Sequence, residues 1–481
     1  MTRNRAVAAF AVLLALGTTA HAAEIPRTRP NILFILTDDQ RWDALGCAGN
    51  PIIQTPNLDA LARDGVRFRN MFVTTAICAA SRASIFTGLY ERTHRYTFGT
   101  KPIANEHVAI SYPALLKQAG YRTGFVGKFG VGVEKGATDR MFDAFTPLNR
   151  SPYWKKQPGG TEKHLTDIEG EKAVAFLDAV KPGEPFCLSI SFNAPHAEDN
   201  DPKQYFWQKE VDHLYKDALI PVPRTMTDEF FNAHPDFLKN SESRVRFKWR
   251  FDEPKKYQEM VRGYYRMISG VDLVVGRLRA ALKKNGLADN TVIVFTSDNG
   301  YFLGDRGFAD KWYIYEHSIR VPLLVFDPRA DRAEGGRVVD AMALNVDLCP
   351  TLLELAGLEV PKLAQGRSLM PLLQGRTPAD WRTDFFYEHL FERHNIPKSE
   401  GVRSARYTYV RWFEQKPLVE ELYDHVADFE ETKNLVNDPK AAEMLVKLRK
   451  RTTELRDQYG GAYRPNPAEK PKKPGEASRA P

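Results

Sequence analysis

Short apolar runs recur along the chain and alternate with segments of helical periodicity. They occupy residues 31–37, 123–126, 186–192, 291–296 and 321–326. Their hydrophobicity is continuous rather than alternating, which indicates strands buried on both faces, as in a parallel sheet covered by helices. We therefore predict an α/β fold in which a large, mostly parallel sheet is sandwiched by helices.

The helices between these runs have recognisable ends. Thr55 precedes Pro56 and a segment that stops at Gly65, while Ser111 and Gly120 bracket a second segment. Thr and Ser are favoured just before a helix, Pro in its first turn and Gly just past its end. Both segments are predicted to be helical, with Thr55 as a cap.

The character of the sequence changes near residue 377. Short pieces rich in Tyr, Phe and Val follow, such as 384–388 and 407–412, and a helical pattern then spans 439–458. This arrangement predicts a smaller C-terminal α+β subdomain that carries an antiparallel sheet. Residues from 464 onward are rich in Pro, Lys and Glu and are predicted to be disordered.

The N-terminus has the pattern of an export signal. Arg3 and Arg5 precede an apolar run over 6–16, and small residues at 20–23 offer a cleavage site. The apolar run is too short to span a bilayer, so we expect an exported protein, periplasmic or secreted, without a stable membrane anchor. The predicted organisation is a signal peptide at 1–23, a main catalytic domain at 24–376, a C-terminal subdomain at 377–463 and a tail at 464–481.

Net charge and cysteine content limit the classes of protein to which the chain can belong. The 481 residues have a formal net charge of +7, which falls to +5 without Arg3 and Arg5 of the signal peptide. This modest excess fits an anionic substrate or an ordinary solvated surface. Four cysteines are too few for a disulfide framework in an exported chain of this length. Cys187 and Cys349 lie in apolar segments and are expected to be buried.

Polar side chains follow four of the predicted strands, at the edge where open α/β sheets bind ligands. They are Asp38 and Asp39 after the first run, Lys128 after the second, His196 after the third, and Asp298 and Asn299 after the fourth. Any one of them alone could be a turn or capping residue. Three carboxylates at one edge would repel each other unless a cation lay between them. Oxygen ligands without His or Cys favour calcium or magnesium over zinc.

The pentad Cys78-Ala79-Ala80-Ser81-Arg82 is similar to the modification signature of the type I sulfatases, a family of the alkaline-phosphatase-like superfamily. The resemblance extends over about residues 29–435. Its further motifs lie at 29–41, 55–62, 298–304, 310–322, 421–424 and 434–435. It indicates a carbohydrate sulfatase of the bacterial type.

The resemblance implies a role for each candidate residue. In the family, the first residue of the signature is oxidised by a maturation enzyme to the aldehyde formylglycine, which assigns that modification to Cys78. The family binds one calcium ion through four positions, here Asp38, Asp39, Asp298 and Asn299. Calcium and Lys311 would bind the sulfate oxygens, Arg82 and Lys128 would hold residue 78, and His196 would stand near the leaving oxygen.

The implied reaction is hydrolysis of a sulfate ester on a carbohydrate. Hydrated formylglycine carries two hydroxyls on one carbon: one attacks sulfur, and deprotonation of the other then expels sulfate and restores the aldehyde. Protonated His196 can stabilise or protonate the leaving alkoxide. Because a thiol lacks the second hydroxyl, unmodified Cys78 is expected to be nearly inactive.

One position departs from the family pattern. The family usually has Gly-Lys-x-His after the second strand, and here Gly130 occupies the place of that histidine. The base that helps to expel sulfate is therefore unassigned, and His94 is either its substitute or a surface histidine. Two other functions stay open: hydrolysis of phosphonate or phosphate esters on the same fold, and glycan binding without catalysis.

Residues 244–266 interleave basic and aromatic side chains, including Arg246, Trp249 and Arg250. In an exported protein this composition favours a sulfated saccharide over nucleic acid as the partner. An amphipathic helix with solvated basic residues fits the same pattern.

Overall fold

The computed structural model describes residues 29–330 and 335–465. The predicted signal peptide at 1–23 and residues 466–481 of the predicted tail lie outside this range. Among the helices described, none has the length and apolar character needed to cross a membrane.

The strands of the described residues are β1 (Asn31–Thr37), β2 (Val66–Phe72), β3 (Arg122–Gly127), β4 (Ala144–Pro147), β5 (Trp154–Lys156), β6 (Glu162–His164), β7 (Phe186–Ser191), β8 (Thr291–Ser297), β9 (Phe302–Leu303), β10 (Ala309–Asp310), β11 (Arg320–Phe326), β12 (Arg337–Val339), β13 (Ala343–Leu344), β14 (Asp384–His389), β15 (Ser399–Ser404), β16 (Tyr407–Trp412) and β17 (Val419–Asp424). The helices are α1 (Pro56–Asp64), α2 (Cys78–Thr87), α3 (Glu91–His94), α4 (Asn105–Ala109), α5 (Tyr112–Gln118), α6 (Ala137–Met141), α7 (Leu165–Asp178), α8 (Asp228–Asn232), α9 (Asp236–Lys239), α10 (Glu242–Arg250), α11 (Pro254–Lys284), α12 (Glu316–Ile319), α13 (Leu348–Leu355), α14 (Met370–Leu373) and α15 (Ala442–Gln458).

The large sheet has the strand order β12-β2-β11-β8-β1-β7-β3-β4, and β13 also pairs with β2. β1 pairs in parallel with β7 and β8, and β3 pairs in parallel with β7 and β4. The predicted α/β fold with a mostly parallel sheet is confirmed.

Each face of β1 belongs to a different hydrophobic core. Leu33 and Ile35 face a core that includes residues of α1, α7 and α11. Ile32, Phe34 and Leu36 face a second core, which includes residues of α2, α5 and α13. Because both faces are covered, every position of the strand is buried, which explains its continuous hydrophobic run.

Two strands differ from the sequence prediction. β11, which contains the run at 321–326, pairs antiparallel with both β8 and β2, so assigning it to the parallel set was wrong. Burial on both faces produces the same apolar run whichever way a strand points. β2 was missed because polar and half-buried residues interrupt it.

The predicted helices at 55–65 and 111–120 are present as α1 and α5, and α1 begins at Pro56. The capping role expected of Thr55 was wrong, because its side chain accepts no hydrogen bond from a backbone N–H of the first turn. Its hydroxyl instead donates to Asp59 and accepts from the Gly46 N–H, which fixes the preceding turn to the helix.

The C-terminal part of the chain contains an antiparallel sheet of order β14-β15-β16-β17, as predicted, and α15 follows it. Phe385 of this sheet stacks on Phe72 of the large sheet with ring centroids 5.3 Å apart. The side chain of Arg92, next to α2, forms ion pairs of 2.7 Å with Glu388 and with Glu400. Apolar and ionic contacts therefore fix the small sheet against the helical layer that carries residue 78.

We expect Arg92→Met to lower the free energy of unfolding by roughly 3–5 kcal/mol, because it leaves the buried carboxylate of Glu388 without its cation. Glu400, by contrast, keeps Arg411. Denaturant unfolding followed by circular dichroism measures the change. Arg63→Met, which removes a 71% exposed partner of Asp64, is the control and should have little effect. Equal effects of the two substitutions would contradict the structural role of Arg92.

Candidate active site

The predicted site residues converge at one edge of the large sheet. β1, β3, β7 and β8 are mutually parallel, so their carboxyl ends lie together there. α2 begins at this edge with Cys78, and the residue after β10 is Lys311. Direct contacts connect the whole predicted set, namely Asp38, Asp39, Cys78, Arg82, Lys128, His196, Asp298, Asn299 and Lys311.

The acidic residues form one buried centre, and none of their side chains is accessible to solvent. Asn299 Nδ2 donates to Asp39 Oδ1 over 2.7 Å, and the Asp39 N–H donates to Asp298 Oδ1 over 3.3 Å. Asp38 Oδ1, Asp39 Oδ2 and Asn299 Oδ1 are buried and have no hydrogen-bond partner among the described residues. Buried oxygens without donors are rare in folded proteins, and a hard cation would satisfy them.

The pKa values of these carboxyl groups show that neighbouring cations offset the effect of burial at Asp38 but not at Asp39 or Asp298. Burial raises the pKa of Asp39 against the opposing effect of Lys311, and Asp38 raises it further. Burial also raises the pKa of Asp298, and the charge of Asp38 adds to this. For Asp38 the effect of burial is outweighed by Lys128 and Arg82, which lower its pKa to about 2. The donor set and its charge fit a divalent oxygen-seeking ion.

Cys78 is the first residue of α2 and is buried. Its Sγ lies within 4.8 Å of a carboxylate oxygen of Asp38 and of one of Asp298. Burial raises the pKa of the thiol, and Lys128 and Lys311 oppose this only in part. As a thiol, Cys78 is therefore protonated at neutral pH and a poor nucleophile.

Three cations surround the acidic centre. Arg82 Nε donates to Asp298 Oδ2 over 2.8 Å, and Lys128 Nζ donates to Asp38 Oδ2 over 2.5 Å. Lys311 Nζ donates to Asp39 Oδ1 over 2.6 Å. Although burial opposes it, the charge of Asp39 raises the pKa of Lys311, which is a buried ammonium rather than a surface lysine.

His196 lies at the border of this centre. Its Nε2 is 3.5 Å from Asp39 Oδ2, while its Nδ1 contacts Arg150 Nη1 and lies 2.7 Å from the Ala197 carbonyl oxygen. Burial lowers the pKa of His196, and the charges of Arg150 and Lys311 lower it further. The imidazole is therefore neutral in the substrate-free site.

The backbone is strained next to the functional groups. Asp39, Asp310 and Trp312 have φ values of 69°, 68° and 85°, in the left-handed region that non-glycine residues rarely adopt. Such conformations persist where the surrounding structure enforces them, and they cluster at functional sites. Two of these residues flank Lys311 and fix the direction of its side chain.

Gly130 lies beside Arg82 and Lys128. Its φ is +67°, and a Cβ atom added there would lie 2.9 Å from Arg82 Cδ and 3.6 Å from Lys128 Cε. A surface location for His94 was wrong, because the residue is buried. Its ring nitrogens contact Ser84 Oγ and the Tyr96 N–H, both at 3.1 Å.

Sequence reasoning missed several charged residues beside the site. Arg150 follows no strand of the predicted set, and nothing in the sequence connects it to His196. The basic residues at 244–266 are not uniformly solvated, because Arg250 is fully buried. Arg250 donates to Asp310 Oδ2 over 3.0 Å and to Asp199 Oδ1. In the sequence, the mixture of basic and aromatic residues was the feature that could have indicated that this segment lies beside the site.

The fold and its charged edge place the chain in the alkaline-phosphatase-like class. Within that class, the sulfatase family model matches residues 30–358, and the model of the C-terminal region of N-sulphoglucosamine sulphohydrolase matches residues 304–458. The chain belongs to the sulfatase family and is an enzyme of sulfate ester hydrolysis.

The relatives and structural neighbours include sulfatases and a hydrolase of phosphonate esters. An N-acetylglucosamine-6-O-sulfatase of Bacteroides thetaiotaomicron is 30% identical, over 93% of this chain and 89% of its own. A solved structure of a protein in complex with its substrate D-glucosamine-2-N,6-O-disulfate has a TM-score of 0.79 and 28% identity, covering 90% of this chain and 98% of its own. A phosphonate monoester hydrolase from Silicibacter pomeroyi has a TM-score of 0.76 and 25% identity, covering 89% and 96% of the two chains.

We expect Gly130→Ala to lower turnover more than Gly136→Ala, measured as kcat/KM on a sulfate ester. Both glycines have positive φ, at +67° and +79°, so both substitutions carry a similar backbone cost of about 1 kcal/mol or more. Only at Gly130 would the new methyl group press against Arg82, since Gly136 has no atom within 4 Å of the added Cβ. Equal losses at the two positions would show that the contact with Arg82 is unimportant.

Proposed function

We propose that this enzyme removes sulfate from a sulfated saccharide, using residue 78 as nucleophile and a calcium ion held by Asp38, Asp39, Asp298 and Asn299. The main support is the burial of Cys78 beside the carboxylates of Asp38 and Asp298. In the same centre, two carboxylate oxygens and the amide oxygen of Asn299 are buried without a hydrogen-bond partner among the described residues. Calcium would supply positive charge for the sulfate oxygens.

The thiol of Cys78 does not suit this role by itself, because burial keeps it protonated. Formylglycine at this position would supply, once hydrated, a hydroxyl nucleophile and a second hydroxyl for release of sulfate. Arg82 and Lys128 lie near residue 78 and are themselves bound to Asp298 and Asp38. They would hold the modified side chain in a fixed orientation. A maturation enzyme that acts on the unfolded chain is the implied partner, since residue 78 is buried after folding.

Lys311 and His196 would act on the substrate. Lys311 presents an ammonium group to the centre and would bind a sulfate oxygen while its contact with Asp39 fixes its position. His196 Nε2 points toward the same centre and would hydrogen-bond to the leaving oxygen. A sulfate ester bound about 3 Å from both groups would be oriented for attack by residue 78.

A saccharide substrate is supported by the names of the relatives, which include a sulfatase of N-acetylglucosamine-6-O-sulfate and a protein complexed with a disulfated glucosamine. Export to the periplasm or medium agrees with the N-terminal sequence and gives access to such polymers. The boundary between a main domain at 24–376 and a C-terminal subdomain at 377–463 remains part of this proposal.

A second candidate function is hydrolysis of phosphonate monoesters, which the neighbour from Silicibacter pomeroyi favours. Parallel assays with 4-nitrophenyl sulfate and 4-nitrophenyl phenylphosphonate separate the two. Higher kcat/KM for the phosphonate would overturn the sulfatase proposal. Saccharide binding without turnover of either ester by modified protein would instead support a silent glycan-binding role.

We expect residue 78 to have lost its sulfur in active protein, its thiol having been exchanged for an aldehyde, so that the tryptic peptide 70–82 retains only the sulfur of Met71. Mass spectrometry of the peptide measures this directly. Cys78→Ala should lower kcat by roughly 10³-fold or more, because the nucleophile is removed. Cys47→Ala, at a half-buried cysteine away from the acidic centre, is the matched control and should retain activity. An intact thiol in fully active protein would contradict the mechanism.

Calcium is expected to stabilise the folded protein. At a concentration about a hundred times Kd, a ligand that binds only the folded state adds about 2.7 kcal/mol. Differential scanning calorimetry after chelation and after calcium addition measures the shift in Tm. Asp39→Asn should reduce the shift, whereas Asp289→Asn, at an exposed carboxylate, should leave it unchanged. An identical shift in both variants would exclude Asp39 as a ligand.

A further inference from the structure

Asp199 holds two guanidinium groups at the rim of the candidate active site. Its Oδ2 lies 3.4 Å from Arg150 Nη2 and 3.2 Å from Arg246 Nη1. The side chain of Arg150 is 20% exposed and that of Arg246 is 13% exposed, whereas Lys311 is only 3% exposed. Both arginine side chains are therefore partly exposed, while that of Lys311 is almost fully buried.

This pair of arginines is directly connected to the residues proposed to act on the ester. Arg150 Nη1 contacts His196 Nδ1, on the side of the ring opposite the acidic centre. Arg246 Nη1 donates over 3.0 Å to Asp310 Oδ2, and Asp310 immediately precedes Lys311. A further substituent on the saccharide, next to the sulfate ester, would contact these two side chains.

The carboxylates of Asp199 and Asp310 also bind a third guanidinium group. Arg250, which is fully buried, donates to Asp199 and, over 3.0 Å, to Asp310. Three guanidinium groups thus share the two carboxylates of Asp199 and Asp310. Glu242 accepts a bond from Arg246 Nε at 2.9 Å, but it also pairs with Arg393 at 3.2 Å. The cluster therefore has an excess of positive charge at its exposed side.

Each of these two partly exposed arginines has one donor without a partner in the described part of the chain. Arg150 Nε is buried and has no hydrogen-bond partner within residues 29–330 and 335–465. Arg246 uses Nε and Nη1 for Glu242, Asp199 and Asp310, and the same residues offer no acceptor to its Nη2. The guanidinium group of Arg246, fixed through Nε and Nη1 and free at Nη2, is arranged to receive a carboxylate or sulfate.

Aromatic rings border the same guanidinium group. The centre of the Arg246 guanidinium lies 5.3 Å from the Trp312 ring centroid and 5.8 Å from that of Trp249. Trp249 is 42% exposed, unusually open for so large an apolar side chain. A ring that is accessible beside a cation offers an apolar face to a sugar and a charged partner to its substituent.

We infer that Arg150 and Arg246 form a subsite for a second anionic group, a sulfate or a carboxylate, on the saccharide that carries the scissile sulfate. The inference deepens the proposed function and rests on it, because His196 then faces the leaving oxygen and Arg150 lies directly beyond it. The subsite selects saccharides with at least two anionic groups over those with one.

The selectivity for a second anionic group is measured with matched pairs of sulfated disaccharides that differ only in a further sulfate or in a uronate carboxylate. Arg246→Met is expected to lower kcat/KM for the doubly anionic member by about tenfold to a hundredfold more than for the singly anionic one. Arg246→Lys retains the charge but loses the two-pronged donor, so its selectivity should fall between those of the wild type and Arg246→Met. If Arg246→Met fails to fold, Arg246→Lys provides the same comparison.

Lys248→Met is the matched control, because it removes a cation from an exposed position of the same helix without touching Asp199. Its ratio of the two kcat/KM values should equal that of the wild type. If Arg246 had a purely structural role, Arg246→Met would lower kcat/KM equally for both substrates. That result would overturn the inference.

Binding separates this inference from the proposed reaction. Calorimetry with Cys78→Ala protein and the same disaccharides should show tighter binding of the doubly anionic members, and Arg246→Met should remove the difference. This result would support the subsite even if the wild type hydrolysed none of the sulfate esters, which would overturn only the proposed function. Equal affinity for both members of each pair would overturn the subsite.

Discussion

Compensation of buried negative charge is the constraint on which the rest of the site depends. Each carboxylate has its own cation: Asp38 with Lys128, Asp39 with Lys311 and Asp298 with Arg82. These pairs leave the opposite oxygens of Asp38 and Asp39 without donors. Three cations thus match the three carboxylates, and the remaining buried oxygens are those to which the proposed metal ion would bind.

The fold supplies the rigidity that such an arrangement requires. Parallel strands deliver the acids from one edge, and both faces of the sheet are packed, so the strand ends cannot move apart without opening a core. The C-terminal sheet adds a second support. Tyr387 donates to the Trp312 carbonyl oxygen over 2.8 Å, beside the strained residues that direct Lys311. A substitution in this sheet can therefore alter the position of Lys311 without replacing any of the proposed metal ligands.

Most of the predicted site comes from residues close to strand ends, where sequence position fixes location well. Asp38, Lys128 and Asp298 each follow a buried run, and a parallel sheet brings such positions together whatever their separation along the chain. Arg150 could not be found in this way. It lies in a loop, and its position against His196 is decided by how that loop packs. His94 was misplaced for a similar reason, because burial of a short helix depends on the layer above it.

The α/β class, the strands that carry the acids and the family chemistry expected at Cys78 can be read from the amino-acid sequence, because they follow from local hydrophobic patterns and short motifs. The direction of β11, the burial of Lys311 and the sharing of Asp199 by Arg150 and Arg246 become visible only in the folded chain. Each of these depends on contacts between residues far apart in the chain. Such contacts are set by packing and by the cost of leaving buried charges unpaired, which no local pattern records.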